Sequence, residues 1–397
     1  MFAPLKGIRV IDLSQVLAGP YATYQMALMG AEVIKIEKPG SGDWARMGGP
    51  TTAGAGMSPN YLTQNAAKKS VALDLKTPEA IAALRKMVAS ADVFVENFKP
   101  GVATRLGLGP DVLREINPRL VYCSISAYGQ TGPLSPRPAY DHVIQGMCGI
   151  MQTTGSPGSG PTKVGAPYID YATGMNAALA ILAALHEVRR TGAGVQVDVA
   201  MLDTALSLMA SLMTIHLSTG WMPRQNGNEA WSASPSSGAF DTAEGVLMLA
   251  ANHDQQFVKL CHALVRADLL EDPRWSTGAE RSANAAGLRQ VLQEIFATRP
   301  AAEWELLLAE FDVPAARVRS LDEVLAEEQV QARQLLSPLQ VAGYDAPVQV
   351  PNLSFTANGT NCPPDTAPSE LGADTEAVLA ELDLDAATLE TLRAAIA

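Results

Sequence analysis

The N-terminal third of the chain carries a surplus of basic side chains near predicted loop and helix ends. Residues 1–110 hold 12 Lys/Arg against 8 Asp/Glu, although the whole chain has a formal charge of −12. Lys and Arg side chains, together with open helix N-termini, bind phosphate groups. Five basic residues lie at such ends: Lys38, Arg46, Lys69, Lys99 and Arg105. They are compatible with a small polyanionic ligand, and the alternative is that they are ordinary surface charges.

Asp170 lies just before a predicted helix, where an acidic side chain has two possible roles. The apolar stretch from Thr173 to Arg189 is predicted to be helical, which leaves Asp170 on the preceding loop. A carboxylate there commonly caps the helix by accepting backbone N–H groups. The positive helix end also favours the ionised carboxylate, and an ionised carboxylate can attack as a nucleophile. The residues alone leave both roles open.

Several catalytic motifs are missing from the sequence. The first βα turn reads SQVLAGPYAT and lacks the G-x-G-x-x-G fingerprint of dinucleotide binding, and neither a P-loop nor a G-x-S-x-G elbow occurs. The 5 histidines form no H-E-x-x-H pair, and the 4 cysteines form no CxxC pair. We therefore expect no metal site and no nucleotide hydrolase.

Charge and hydropathy limit the partners and the compartment. An acidic chain is a poor match for nucleic acid or an anionic membrane, both of which attract basic surfaces. Asp12 interrupts the first apolar stretch, which is atypical of a signal peptide, and the longest apolar run, Ala177–Leu185, is too short to span a bilayer. We expect a cytoplasmic protein with reduced cysteines and no nucleic-acid or membrane partner.

Apolar, β-branched segments alternate with helical ones over the first 125 residues. The predicted strands are 8–13, 31–37, 71–75, 92–95 and 120–125, followed by another at 195–198. The predicted helices between them are 20–29, 78–88 and 110–116. Strands that alternate with helices predict an α/β fold with a parallel sheet and right-handed crossovers.

Segments rich in Gly, Pro and Ser suggest how the chain is divided. Residues 151–170 are predicted to be a long loop, followed by helices at 173–189 and 202–217. We predict a large domain over 1–218, completed by 330–397, and a smaller mixed α/β domain over 225–325. Residues 219–224 and 326–352 are predicted to be linkers. A hairpin is expected within 240–250, with its turn at Ala243–Gly245.

Eight segments occur in an order that resembles family III CoA-transferases, the group of formyl-CoA and carnitine-CoA transferases. They are VLAGPYAT (16–23), GAEVIKIEKPGSGDWAR (30–46), NAAKKSVALDLK (65–76), VENFKPGVATRLGLG (95–109), SAYGQTGP (126–133), PAYDHVIQG (138–146), GAPYIDYATGMNAALAILAAL (165–185) and GVQVDVAMLDTAL (194–206). The resemblance covers essentially the whole chain and is densest over 1–206. It implies a Rossmann-like large domain and a ring-shaped chain in an interlocked homodimer.

The resemblance also implies a covalent mechanism at Asp170. In the family, the matching Asp attacks an acyl-CoA thioester, and an aspartyl mixed anhydride and then an aspartyl-CoA thioester follow. CoA finally passes to a small carboxylic acid, so CoA thioesters are substrates and no tightly bound cofactor is expected. Tyr168 and Tyr171 are expected to shield the anhydride from water. Backbone amides near Val16–Ala18 and a loop of the small domain are expected to polarise the thioester oxygen.

Further residues are assigned to the CoA site by the same resemblance. The expected contacts are Val16, Ala18, Lys38, Leu73, Asn97, Phe98, Arg105, Tyr140 and Asp141. Among these, Lys38 is expected to meet the adenosine phosphates, and Ala18 and Leu73 are expected to form apolar walls. Tyr140 and Asp141 match the transferase pattern, in which an acid at this position helps to place the acyl group. The alternative for Asp141 is a structural cap or an ion pair with Arg137.

Two other functions remain open on the same fold. An α-methylacyl-CoA racemase needs a His where this chain has Tyr140, and His142 is displaced by two residues. A non-catalytic CoA-binding protein would not need Asp170. We therefore favour a CoA-transferase over both.

The chain departs from formyl-CoA transferases at two places, which bear on its substrates. Leu17 replaces a Gln, and the segment AWSASPSSGAF (230–240) replaces a run of glycines. Oxalate and formyl substrates are therefore disfavoured. Four hydroxyls of this segment are candidates for holding the acceptor carboxylate or are ordinary loop residues: Ser232, Ser234, Ser236 and Ser237. Succinyl-CoA is the expected donor.

Overall fold

The computed structural model describes residues 2–47 and 57–394. Contacts within the chain divide it into two compact units. The first unit comprises the chain up to Met151, Lys163–Met222 and the chain from Glu328. The second unit comprises Gln152–Thr162 and Pro223–Glu327.

A six-stranded parallel sheet forms the centre of the first unit. Its strands are β1 (Arg9–Asp12), β2 (Glu32–Glu37), β3 (Lys68–Ala72), β4 (Val93–Glu96), β5 (Val121–Ser126) and β6 (Val195–Ala200). Their order in the sheet is β3-β2-β1-β4-β5-β6, and every neighbouring pair is parallel. This confirms the predicted α/β fold with a parallel sheet.

Helices cover both faces of this sheet. They are α1 (Ala18–Leu28), α2 (Pro59–Asn65), α3 (Pro78–Ala89), α4 (Val102–Arg105), α5 (Pro110–Ile116), α6 (Asp141–Cys148), α7 (Tyr168–Thr191), α8 (Met201–Leu208) and α9 (Ala210–Thr219), with short 3₁₀ turns at Trp44–Met47 and Ile150–Gln152. Because side chains alternate along a strand, Val10 and Val33 pack on the side of α1 and α7, whereas Ile11 and Ile34 pack on the side of α3. Burial on both faces explains why the strands read as continuous apolar runs.

Three predicted elements differ from the structure. β3 lies at Lys68–Ala72 rather than 71–75, because Asp74 and Thr77 form the turn that caps α3. α7 begins at Tyr168 rather than at Thr173. The helix predicted over 202–217 is broken at Met209, where the axis bends by 73° between α8 and α9.

α7 is longer than its apolar run suggested. By length and composition alone, it could cross a membrane, and so could α8 and α9 taken as one bent pair. In the structure, α7 packs against α1, β5 and β6, and Ile169, Ala177 and Ile181 are fully buried. It therefore occupies the place of a core helix in the first unit.

The second unit has its own small sheet and core. Its strands are β7 (Ser237–Asp241), β8 (Val246–Ala250) and β9 (Ala315–Arg317), in antiparallel order β7-β8-β9. Its helices are α10 (Asp254–Ala263), α11 (Asp268–Glu271), α12 (Gly278–Ala283), α13 (Ala285–Phe296), α14 (Ala301–Glu310) and α15 (Leu321–Ala326). Phe240, Phe257, Phe296 and Trp304 fill its centre. The β7–β8 pair confirms the predicted hairpin.

The chain then returns to the first unit. Its last elements are α16 (Glu328–Ala332), β10 (Leu336–Leu339), β11 (Val348–Pro351), α17 (Thr375–Ala380) and α18 (Ala386–Ala394). β10 and β11 form an antiparallel pair inside the predicted linker 326–352. α17 contacts β3, and α18 contacts α3.

Candidate active site

A cavity of about 410 Å³ opens in the first unit near the carboxyl ends of β1, β4 and β5. Ligands of α/β sheets commonly bind at this edge. The cavity is lined by residues 15–18, 97–100, 125–127 and 137–140, and by Asp170 and Met201. Seven residues predicted from the sequence therefore come together: Val16, Ala18, Asn97, Phe98, Lys99, Tyr140 and Asp170.

Asp170 lies in the first turn of α7 rather than on the loop before it. The capping role belongs to Asp141 instead, because its Oδ2 accepts the backbone N–H groups of Ile169 (2.9 Å) and Asp170 (3.2 Å). The other carboxylate oxygen of Asp141 accepts a hydrogen bond of 2.6 Å from Gln145 Nε2. Asp141 thus fixes the start of α7 from the neighbouring helix α6, so the side chain of Asp170 is not needed to cap its own helix.

The carboxyl group of Asp170 is in an unfavourable place for a negative charge. Burial and, next, the charge of Asp141 raise the pKa of Asp170 from its ordinary value of 3.8 to about 7. The prediction that the helix end keeps this carboxylate ionised is therefore wrong in direction. A carboxylate that is destabilised as an anion gains more from forming a bond to carbon, because bond formation removes its charge.

Close packing brings the start of α1 beside the start of α7. Gly174 follows Asp170 by one helical turn and lies on the same face of α7. A Cβ atom at Gly174 would lie 2.7 Å from the carbonyl oxygen of Ala18, so only glycine permits this approach. The ring of Tyr171 meets that of Tyr21 edge-on at 4.8 Å. As a result, Asp170 and the N-terminus of α1 line the same cavity.

The loop that leads into α1 is held by side-chain hydrogen bonds. Gln15 N–H donates to Asn97 Oδ1 (2.9 Å), and Asn97 Nδ2 donates to the carbonyl of Gln15 (2.8 Å). Gln64 Nε2 donates to the carbonyl of Val16 (2.8 Å). Leu17 then caps α1 without a side-chain hydrogen bond, and Ala18, the first residue of the helix, lines the cavity.

A second cavity of about 240 Å³ shares Gln15 and Phe98 with the first. Lys38 and Leu73, both predicted site residues, line it. Lys38 is exposed, whereas Leu73 is buried. The two cavities together offer an apolar wall next to a basic side chain.

Comparison with known proteins agrees with this geometry. The model of CoA-transferase family III matches residues 5–375. The chain is 40% identical to the succinate–glutarate CoA-transferase of Agrobacterium fabrum over 347 residues, which cover 85% of each chain. The chain belongs to CoA-transferase family III.

Another relative and a crystal structure agree with this assignment. The succinyl-CoA:glutarate CoA-transferase of Homo sapiens is 36% identical over 331 residues, covering 82% of this chain and 74% of that protein. A CAIB/BAIF family protein from Brucella suis superposes with a TM-score of 0.84 at 33% identity, covering 96% of this chain and 100% of that chain. The chain is thus a CoA-transferase.

Not every basic residue predicted for this CoA-transferase is available to phosphate. Arg46 is buried and pairs with Glu37 at 2.7 Å, and its guanidinium lies over the ring of Tyr61. Lys69 pairs with Glu32 at 2.6 Å. The suggestion that Arg46 and Lys69 bind phosphate is therefore wrong for Arg46 and weakened for Lys69, because local carboxylates already neutralise them.

The remaining predicted residues lie at the edges of the CoA-transferase site. Arg105 is exposed at the end of α4 and lines neither of the two cavities described. Tyr140 is 65% exposed at the cavity and precedes α6. His142 is exposed on α6 and does not line the cavity with Asp170. The position that a racemase would use as a base is therefore occupied by Tyr140.

Two cavity residues of the CoA-transferase were not found by sequence reasoning. Ser126 ends β5, and its buried hydroxyl has no hydrogen-bond partner among the described residues. Arg137 is exposed and lines the same cavity. The available signal for Ser126 was its place at the carboxyl end of a predicted parallel strand.

The serines predicted to meet an acceptor carboxylate are engaged within the second unit. Ser236 is fully buried and donates to the carbonyl of Ala251 (2.7 Å). Ser232 donates to Asn252 Oδ1 (2.5 Å). Ser237 is fully buried in β7. Ser236 therefore serves the fold of that unit, whereas the buried hydroxyl of Ser237 has no hydrogen-bond partner among the described residues.

Residues 2–47 and 57–394 contain no candidate metal centre. No group of three or more His, Cys, Asp or Glu in those residues is arranged to hold an ion.

Proposed function

We propose that this CoA-transferase moves CoA from an acyl-CoA donor, succinyl-CoA first, to a small carboxylic acid through covalent intermediates on Asp170. The observation that carries the proposal is the half-buried Asp170 carboxyl, with its pKa raised to about 7, in a cavity that it shares with the N-terminus of α1. The relatives named for glutarate make a dicarboxylate the first acceptor to test.

The proposed reaction has four steps that regenerate Asp170. The carboxylate attacks the thioester carbonyl, the C–S bond breaks, and a mixed anhydride and CoA thiolate form. The thiolate attacks the aspartyl carbonyl, which releases the donor acid and leaves an aspartyl-CoA thioester. The acceptor carboxylate attacks this thioester and again forms an anhydride and thiolate. The thiolate then takes the acceptor acyl group, and no proton is gained or lost overall.

The other site residues have distinct proposed roles. Backbone amides near Val16 and Ala18 stabilise the oxyanion at the thioester carbon, because the first N–H groups of a helix favour negative charge. Lys38, Leu73, Asn97, Phe98 and Arg105 hold the nucleotide part of CoA, which extends from the first cavity into the second. Tyr140 places the acyl group from the cavity wall, and Asp141 contributes by fixing the start of α7 and thereby Asp170. We propose that Arg137 receives the acceptor carboxylate.

We also propose an interlocked cytoplasmic homodimer, in which residues 1–218 with 330–397 form the CoA-binding domain and 225–325 form the small domain. The support lies in α9, where no residue is buried although it carries Met213, Ile215 and Leu217. Light scattering under native conditions should give twice the 41.9 kDa of one chain. A monomer would contradict the proposal.

Intact-protein mass spectrometry with hydroxylamine trapping tests the covalent route. Wild type is incubated with a panel of acyl-CoAs that includes succinyl-CoA, and Asp170→Ala is compared with Asp203→Ala. Asp203 is an exposed acid in the first turn of α8, so it matches Asp170 in local position but not in environment. We expect a donor-dependent adduct on the Asp170 peptide in wild type and Asp203→Ala but not in Asp170→Ala.

Other outcomes would redirect the assignment. No adduct with any donor, together with exchange of the α-proton in heavy water, would favour a racemase. CoA binding with neither signal would favour a non-catalytic CoA-binding protein.

A further inference from the structure

The backbone of Val16 has an unusual conformation. Its φ is 72°, in the left-handed region that glycine adopts without cost. For a β-branched residue this conformation is a genuine outlier, and it persists only where surrounding contacts enforce it. Contacts from neighbouring residues must therefore hold the backbone of Val16 in this conformation.

A buried carboxylate supplies the contact to Val16. Asp43 Oδ1 accepts the backbone N–H of Val16 at 3.0 Å and that of Ala45 at 3.0 Å. The backbone N–H of Asp43 in turn donates to Glu37 Oε1 at 2.9 Å. Asp43 is thus fixed on both sides, and one of its oxygens is committed to the strained residue.

A buried lysine in turn holds Asp43. Lys35 Nζ lies 2.9 Å from Asp43 Oδ2, and both side chains are 0% exposed. The same ammonium group donates to the carbonyl of Ser14 at 2.7 Å. Lys35 therefore touches both the carboxylate that holds Val16 and the backbone two residues before it.

The held loop ends at the reaction cavity. Leu17 and Ala18 follow Val16 directly and line the cavity with Asp170. Because α1 has no side-chain cap, any rotation at Val16 would re-aim the open N–H groups of its first turn. Groups that stabilise developing charge must keep their geometry closely, and a displacement of 1 Å is costly to the rate.

We propose that Asp43, fixed by Lys35, is a positioning residue for CoA transfer, which holds Val16 in its left-handed conformation so that the N-terminus of α1 faces Asp170. This inference rests on the proposed function, in which the Val16–Ala18 backbone stabilises the oxyanion. It adds two residues that lie outside the cavity and touch no substrate.

A double-mutant cycle between Asp43 and Val16 tests the proposal. Glycine at position 16 adopts the left-handed conformation without support, so Asp43 should matter less there. We expect Asp43→Ala to lower kcat for transfer from succinyl-CoA to glutarate by roughly 10- to 100-fold, with the KM for succinyl-CoA changed less than about threefold. In the Val16→Gly background, the same change should lower kcat by less than about threefold.

Two further variants separate positioning from general damage to the fold. Asp43→Asn keeps an oxygen acceptor for the N–H of Val16 and should recover part of the lost kcat. Leu84→Ala removes a fully buried side chain of the core near α3 and should lower stability without lowering kcat of the folded enzyme. Equal losses of kcat for Asp43→Ala in both backgrounds, or a similar loss in Leu84→Ala, would overturn the proposal.

The cycle also distinguishes this inference from the proposed covalent route. If wild type transfers CoA but forms no adduct on Asp170, the proposed nucleophile is wrong. The dependence of the Asp43 effect on residue 16 is measured on kcat alone, so it decides the positioning role in either case.

Discussion

Buried acids serve opposite purposes at two places in the first unit. At the carboxyl end of β1, Asp12 pairs with Lys68 at 3.0 Å, and Lys35 lies nearby. Although burial alone would raise the pKa of Asp12, these two ammonium groups hold it well below its usual range. At the start of α7, Asp170 faces another acid, Asp141, and burial with this neighbour raises the pKa of Asp170 to about 7.

The two acids differ in their neighbours and in their exposure, because Asp12 is fully buried whereas Asp170 is half-buried. Within residues 2–47 and 57–394, neither Asp170 nor Asp141 makes an ion pair, whereas three buried acids near β1 and β2 all do: Asp12, Glu37 and Asp43. A paired buried charge fixes structure, because breaking the pair leaves the partner uncompensated. An unpaired carboxylate in a buried setting is destabilised as an anion, and forming a covalent bond to carbon removes its charge.

Replacing the reactive acid should give the largest effect of all. We expect Asp170→Asn to lower kcat for CoA transfer by at least about a thousandfold, since loss of a nucleophile removes the covalent route. Stability should not fall, because the amide keeps the shape and removes an unfavourable charge. Steady-state kinetics and urea unfolding at pH 8 check both parts. A variant that unfolds more readily than wild type would mean that Asp170 belongs to the structural acids.

Replacing the paired acid should do the reverse. We expect Asp12→Asn to lower the free energy of unfolding by about 3–5 kcal/mol, because Lys68 is left buried without its counter-charge. The folded enzyme should keep more activity than Asp170→Asn does. Urea unfolding measures the loss, and Asp203→Asn is the exposed control, expected within about 0.5 kcal/mol of wild type. A loss below about 1 kcal/mol in Asp12→Asn would contradict the comparison.

The same contrast explains what the sequence could predict of the fold. The strands were found because their apolar runs are continuous, and the parallel sheet followed from their alternation with helices. Lys68 was missed as a buried residue and β3 was placed too late, because two adjacent lysines are typical of a surface. Lys68 is buried against Asp12, which is 56 residues away in sequence.

The site was predicted in the same uneven way. Resemblance to the family pointed to Asp170, and the structure places it in the cavity with six other predicted residues. Its cap and its pKa were not predictable, because both depend on Asp141, which precedes it by 29 residues. Sequence rules for a helix end consider only the residues of that helix and its flanks, so they cannot predict a cap that comes from another helix.

Removing the charge of Asp141 should lower the pKa of Asp170. We expect Asp141→Asn to shift the acid limb of the pH profile of kcat/KM to lower pH, because the repulsion that raises the pKa of Asp170 is lost. Burial is the larger cause, so the limb should stay above the ordinary value of 3.8. The amide oxygen still accepts a backbone N–H of α7, which preserves the cap. Rates over pH 5–8 check this, with Asp203→Asn as the control; an unmoved limb in Asp141→Asn would rule out the coupling.

The free energy of unfolding should depend on pH with opposite signs for Asp170 and Asp12. Since the pKa of Asp170 is higher in the folded chain (about 7) than the ordinary value of 3.8, the folded state binds the extra proton between these values. The stability that this proton contributes is fully present below pH 3.8 and is lost as the pH rises toward 7. The pKa of Asp12 is lowered instead, so the stability that Asp12 contributes is lost only as the pH falls. Between pH 5 and pH 7, wild type should therefore lose roughly 1–2 kcal/mol relative to Asp170→Asn, which cannot titrate. Urea unfolding at pH 5, 6, 7 and 8 measures this difference, and one that stays constant with pH would place Asp170 in an environment as well compensated as that of Asp12.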